Sequence, residues 1–135
     1  MQKIIASIKY RPLNLVLILS VISLYLINNN LIKPNTTRIV HIFFVSFFND
    51  LLCPYFFLAY ANLLLITCGR EMTKLKILML VCLAAGCVWE FAAPYLKHGS
   101  VTDPIDLICY AISTVGYWKL LNTIIKRDGE KNDRN

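Results

Sequence analysis

Four of the chain's eight acidic residues, Asp50, Glu90, Asp103 and Asp106, stand where apolar segments begin or end. A carboxyl group in a low-dielectric setting can act as a general acid or base. Carboxylates also suit Mg2+ or Ca2+ as hard oxygen ligands, and they complement an ammonium group. Glu90 and Asp106 are the candidate catalytic residues. Asp50, Asp103, Tyr110, Lys97 and His98 are the candidate binding residues.

Each acid also has a simpler reading. Asp103 before Pro104 is a good helix start, with a side-chain acceptor at the N-cap and a proline at N1 whose missing N–H costs nothing. Asp106 falls at N3, where a carboxylate meets the positive end of the helix dipole, and it shares a face with Tyr110, Ser113 and Tyr117. Asp50 or its neighbour Asn49 can cap the helix that follows. Glu90 has no capping role, because it falls inside a helix, one turn after Gly86 and Cys87. It is either a site residue or a structural acid held for helix association.

The elements that must position these groups are membrane spans. A 135-residue chain that is 57% hydrophobic, with a mean hydropathy of +0.57, cannot make its surface polar enough for a soluble domain. The pattern predicts an all-α, polytopic membrane protein with four transmembrane helices, over about 13–28, 49–68, 75–95 and 104–122. The apolar run 39–68 would be about 45 Å long as one helix, against a hydrocarbon core of about 30 Å. It is therefore divided into an interfacial helix, 39–48, and a span, 49–68. The first apolar segment lacks a small-x-small cleavage pattern and is read as an uncleaved span. The charged tail beyond 122 is read as a frayed, solvated end.

Basic residues set the expected orientation. Lys3, Lys9, Arg11, Arg70, Lys74, Lys76, Lys119, Lys126, Arg127, Lys131 and Arg134 fall on one side, and only Lys33, Arg38 and Lys97 on the other. The positive-inside rule then puts both termini in the cytoplasm, in a multi-pass bacterial inner-membrane protein. All four acids come to the outer half, with Glu90 roughly 22 Å along its helix. Acids in a span face a bundle interior or a wet cavity, so one outward-facing acidic pocket is the expected arrangement. The net charge of +6 points to anionic lipid rather than nucleic acid, since the basic residues flank apolar spans.

The remaining polar and aromatic residues have bland readings. Asn62 is interhelical glue. The run Ala84-Ala85-Gly86 lets another helix approach. Trp89, Tyr95, Tyr117 and Trp118 are interfacial belt residues. His41 lies near the outer boundary, to shuttle protons or touch headgroups. The five cysteines are small hydrophobes in apolar runs, forming no zinc or disulfide pattern. No metal-ligand or cofactor-binding motif is present.

From Glu90 onward the order is Glu, a polar loop with Lys97, His98 and Ser100, then Asp103-Pro-Ile-Asp106, Tyr110 and Gly116. This resembles the VanZ-like family of small bacterial membrane proteins, in which a Glu near one helix end precedes two acids opening the next helix and a later glycine. The stretch "NDLLCPYFFLAYANLLL", 49–65, looks like the second helix of small membrane proteins of Bacteroidetes-type bacteria, some of them labelled magnesium–citrate transporters. The two patches cover about a third of the chain. Ala93 stands where the family often has Gln, Lys97 is the only match for the loop's basic position, and Tyr110 replaces Asn. The resemblance implies a cell-envelope protein and makes glycopeptide (teicoplanin) resistance an associated activity.

Three functions are consistent with these residues. The first is a VanZ-like envelope protein whose acidic pocket engages membrane lipid, a lipid-linked cell-wall precursor or another cationic or polar ligand. There Glu90 and Asp106 would supply charge or acid–base capacity, Asp50 and Asp103 would hold the geometry, and Tyr110 would donate a hydrogen bond. The second is a transporter or channel subunit, homo-oligomeric, for protons, divalent cations or metal–citrate. The third is a holin-like or defence-cassette membrane effector.

Overall fold

The computed structural model describes residues 12–96 and 104–132, and among these every regular element is helical. Four helices dominate: α1 (Pro12–Ile27), α2 (Phe48–Thr67), α3 (Leu75–Leu96) and α4 (Pro104–Asn132). Two stretches built on the first two, Pro12–Asn35 and Ile39–Thr67, are long and apolar enough to cross a membrane. Leu19, Leu26, Ile39, Leu80, Val88 and Ile112 are more than half exposed. A helix that is apolar all round needs hydrocarbon somewhere, and here the bundle core does not supply it.

α1 is extended at its C-terminal end. It passes into a π-helical turn, Asn28–Ile32, and a last turn, Lys33–Asn35. Asn29 and Asn35 each donate from the side-chain amide to the carbonyl four residues back, Tyr25 and Leu31, at 3.0 and 2.7 Å. Such back-bonding competes with the regular backbone ladder and helps to distort this end of the helix.

The expected division between an interfacial helix and a second span is not a break in the chain. Helix runs without interruption through Arg38–Ile42, a π-helical turn over Phe43–Phe47, and α2. The π turn absorbs the mismatch that chain length alone suggested would require a loop. The edge-to-face pair Phe43–Phe44, with ring centroids 5.3 Å apart, stiffens it. Because the backbone is already helical at Phe47, neither Asn49 nor Asp50 caps α2, and the N-cap position carries no side-chain hydrogen bond.

α2 ends in a Schellman turn. Gly69, at φ +70°, lets its N–H reach the Ile66 carbonyl at 2.9 Å and the Arg70 N–H reach Leu65 at 3.0 Å. α3 begins at Leu75 as expected. α4 continues to Asn132 instead of ending at 122. Lys126, Arg127, Glu130 and Lys131 are residue types that favour helix.

α2 packs against α1 and α4, and α4 packs against α2 and α3, whereas α2 and α3 touch little. The core therefore lies along the inner face of α4, where Tyr110, Tyr117 and Leu121 meet Leu58 and Ala59 of α2 and Leu78 and Cys82 of α3. A lateral cleft is left between α2 and α3.

Candidate functional site

The antiparallel course of α2, α3 and α4 carries Asp50, Glu90 and Asp106 to one end of the bundle. The Asp50 and Asp106 carboxyl groups lie within hydrogen-bonding reach of each other, and Glu90 lies within electrostatic range of Asp50. Asp50 and Asp106 are half-buried, and Glu90 is buried. Carboxyl groups from three helices thus come to one region of the bundle. Lys33, at the end of the α1 extension, is also within electrostatic range of Asp50. Lys97, His98 and Asp103, including the proposed cap of α4, lie outside the described residues.

Tyr110 connects the acids to the packing below them. It is buried and lies within electrostatic range of Asp50, Glu90 and Asp106. Its ring is pressed on Gly86, where an added Cβ would stand 2.6 Å from Tyr110 Cδ2. Ala84-Ala85-Gly86 is thus where α3 admits the aromatic ring of α4, in line with the packing role read from its small side chains. Gly116 has a parallel function lower down, since a Cβ there would collide with the Tyr55 hydroxyl.

A cavity of about 210 Å³ opens in the α2–α3 cleft beside this ring. Cys53, Pro54 and Phe57 of α2 form one wall, Cys82, Gly86 and Trp89 of α3 the other, and Tyr110 the floor. Pro54 deprives the Asp50 carbonyl of its helical donor and loosens α2 at this level. Two residues of the cavity lining, Cys53 and Tyr110, lie within electrostatic range of the Asp50 carboxyl.

The same end of the bundle holds a buried amide pair. Asn28 Nδ2 donates to Asn49 Oδ1 and to the Phe44 carbonyl, both at 3.0 Å, fixing the end of α1 on α2. Asn28 Oδ1 is buried without a donor. His41, read as a boundary residue, places its Nδ1 3.1 Å from the Lys33 carbonyl and so ties the turn between the first two helices.

Toward the other end, Tyr117 is fully buried, which corrects its reading as a belt residue. Its hydroxyl donates to Asn14 Oδ1 at 2.9 Å and accepts from Asn62 Nδ2 at 2.8 Å. Asn62 also receives the Met72 N–H at 2.8 Å and donates to the Met72 carbonyl at 3.1 Å. Asn62 does join helices, and its main partner was concealed by the amphipathic character of tyrosine. Trp89 is 58% exposed, as a belt residue would be, while Trp118 is half-buried against the core. Cys82 and Cys109 are buried, whereas Cys53, Cys68 and Cys87 are exposed on the bundle surface.

Among the described residues, no three His, Cys, Asp or Glu side chains are grouped closely enough to hold a metal ion. Glu90 accompanies the Asp50–Asp106 pair and does not complete a ligand set with it. The sequence reading found the acids but missed the cleft wall formed by Cys53, Pro54 and Phe57, and also the Asn14–Tyr117 link. Asn14, a lone amide opening the first apolar run, was the available signal for that link. No protein-family model, curated protein or solved structure matches the chain.

Proposed function

We propose that the chain is a four-span inner-membrane protein with both termini in the cytoplasm, and that its outward-facing carboxyl recess binds the ammonium of a polar or lipid-linked envelope ligand. The observation that carries this reading is the convergence of Asp50, Glu90 and Asp106 from three helices beside Tyr110. Ionisable groups within a span commonly mark a ligand or ion pathway, and cationic headgroups are available at the outer leaflet. Resemblance to VanZ-like proteins is consistent with an envelope role and makes teicoplanin susceptibility a relevant phenotype. Asp106 and Glu90 supply the charge, and Asp50 holds Asp106 in place.

The test is binding of a primary-amine probe, ethylammonium, to the protein in phosphatidylcholine nanodiscs. Glu90→Gln or Asp106→Asn should weaken binding at least tenfold with insertion unchanged, because a charge-assisted hydrogen bond contributes about 1.5–3 kcal/mol. Equal binding by both variants would reject the recess as a site.

A transporter reading has one observation in its favour. Tyr110, Ser113, Thr114 and Tyr117 form a buried stripe down α4 that leads from the acids to Asn62 and Asn14. Against conduction, the Ser113 and Thr114 hydroxyls are committed to the Leu51 and Tyr110 carbonyls at 2.8 and 2.7 Å. Proton flux in liposomes, abolished by Asp106→Asn, would favour transport over binding.

A further inference from the structure

We infer that α3 seats an anionic diacyl phospholipid of the phosphatidylglycerol class, with its phosphate at the helix N-terminus and one acyl chain in a groove along the helix. This site is separate from the carboxyl recess and takes from the proposed function only that α3 is a span.

The groove has a volume of about 590 Å³ and shares no lining residue with the α2–α3 cleft. Its walls are two rows of α3 side chains four residues apart, Leu75, Met79 and Leu83 in one and Lys76, Leu80 and Ala84 in the other. Rows at this spacing form parallel ridges, and the short Ala84 side chain widens the gap between them. Cys87 closes the far end. From Leu75 to Cys87 the helix rises about 18 Å, close to the roughly 15 Å of hydrocarbon in one leaflet. One acyl chain therefore fits along the groove. Leu80 is 71% exposed, and Ala84 and Cys87 are exposed with it, so surrounding lipid reaches the groove directly.

The near end selects the headgroup by charge complementarity. Lys76 lines the groove there and is exposed, as is Lys74. Lys74 is the N-cap of α3, since its carbonyl accepts from the Ile77 and Leu78 N–H groups at 3.0 and 3.1 Å. A lysine side chain has no acceptor to offer the first N–H groups of the helix, and the first turn of α3 contains no acid. Two ammonium groups thus meet the positive end of the helix dipole, where an anion is favoured. Glu71, in the connection before α3, is half-buried and within electrostatic range of Tyr117 on the inner face of α4. A free phosphate would match the charge but leave the groove unused. A zwitterionic lipid would fill the groove but set its own cation beside the lysines.

The test uses the full chain in phosphatidylcholine nanodiscs containing spin-labelled phosphatidylglycerol, whose motionally restricted component should saturate. Two lysines at an anionic headgroup favour it about thirtyfold, so half-saturation should come at a mole fraction at least about tenfold below that of spin-labelled phosphatidylcholine. Lys74→Gln with Lys76→Gln should abolish this preference. Lys119→Gln with Lys126→Gln, an equal loss of charge from exposed positions on α4, should preserve it. Ala84→Phe, which fills the groove from an exposed position, should abolish saturation. Equal effects of the two lysine pairs, or indifference to Ala84→Phe, would overturn the inference. In a variant keeping Cys87 alone among the cysteines, an oxidant-induced disulfide between two copies would give the groove to a second copy and overturn it as well. Ethylammonium binding enters none of these measurements, so this site and the carboxyl recess stand or fall separately.

Discussion

The carboxyl groups of Asp50 and Asp106 lie within hydrogen-bonding reach of each other across the interface of α2 and α4, so that one proton can be shared between them. This contact places two acids from opposite halves of the chain in one polar unit and leaves Glu90 as its neighbour. A carboxamide can replace either partner as a donor, whereas a hydrocarbon cannot.

Asp106→Asn is therefore expected to keep the fold, with stability within about 0.5 kcal/mol of the native protein, while losing ammonium binding. Asp106→Leu should leave the Asp50 carboxyl without its partner and cost about 1–3 kcal/mol. Thermal unfolding in detergent or nanodiscs measures both. Equal losses for Asn and Leu would show that the pair contributes no hydrogen bond to stability.

Gly116→Ala should destabilise the bundle by about 1–3 kcal/mol, since its methyl collides with the Tyr55 hydroxyl. Tyr55→Phe removes that oxygen, so the double variant should recover at least about 0.5 kcal/mol relative to the sum of the single changes. Strict additivity in the double-mutant cycle would place the cost of Gly116→Ala elsewhere.

Tyr117→Phe should lower stability by about 1–2 kcal/mol. The change removes a donor from Asn14 Oδ1 and an acceptor from Asn62 Nδ2, and Asn14 Nδ2 already lacks a partner. Hydrogen bonds between membrane helices are often worth only about 0.6 kcal/mol, so the larger figure reflects the loss of two at a buried position. A fall no greater than that of a surface Tyr60→Phe control would show that the link is dispensable.

Cys68 is exposed where α2 ends, on the side assigned to the cytoplasm. In a variant whose other four cysteines are replaced by serine or alanine, a membrane-impermeant maleimide should label Cys68 in inverted vesicles and not in intact cells. The reverse pattern would invert the proposed topology and turn the carboxyl recess toward the cytosol.

Helical class and element positions were legible from composition and apolar run length, because both reflect local properties of the chain. α3 begins at Leu75 and α4 at Pro104, as the pattern indicated. The boundary expected at 48–49 falls within one residue of the start of α2 at Phe48, but a π turn joins the two segments without a break. The end of α4 was misread because charge was taken as a sign of fraying, although the same residue types favour helix.

Sequence alone determined that Asp50, Glu90 and Asp106 fall at the same end of an antiparallel bundle, since that follows from segment order and a rise of about 1.5 Å per residue. Only the tertiary structure decided that Glu90 and Asp106 come within electrostatic range of Asp50, because azimuth around a helix is set by which neighbour it packs against. The same packing made the cleft. Gly86 admits Tyr110 onto α3, α4 becomes the shared support of α2 and α3, and the space between those two helices stays open. No pattern of residue types along one chain segment encodes that gap, because it belongs to three helices at once.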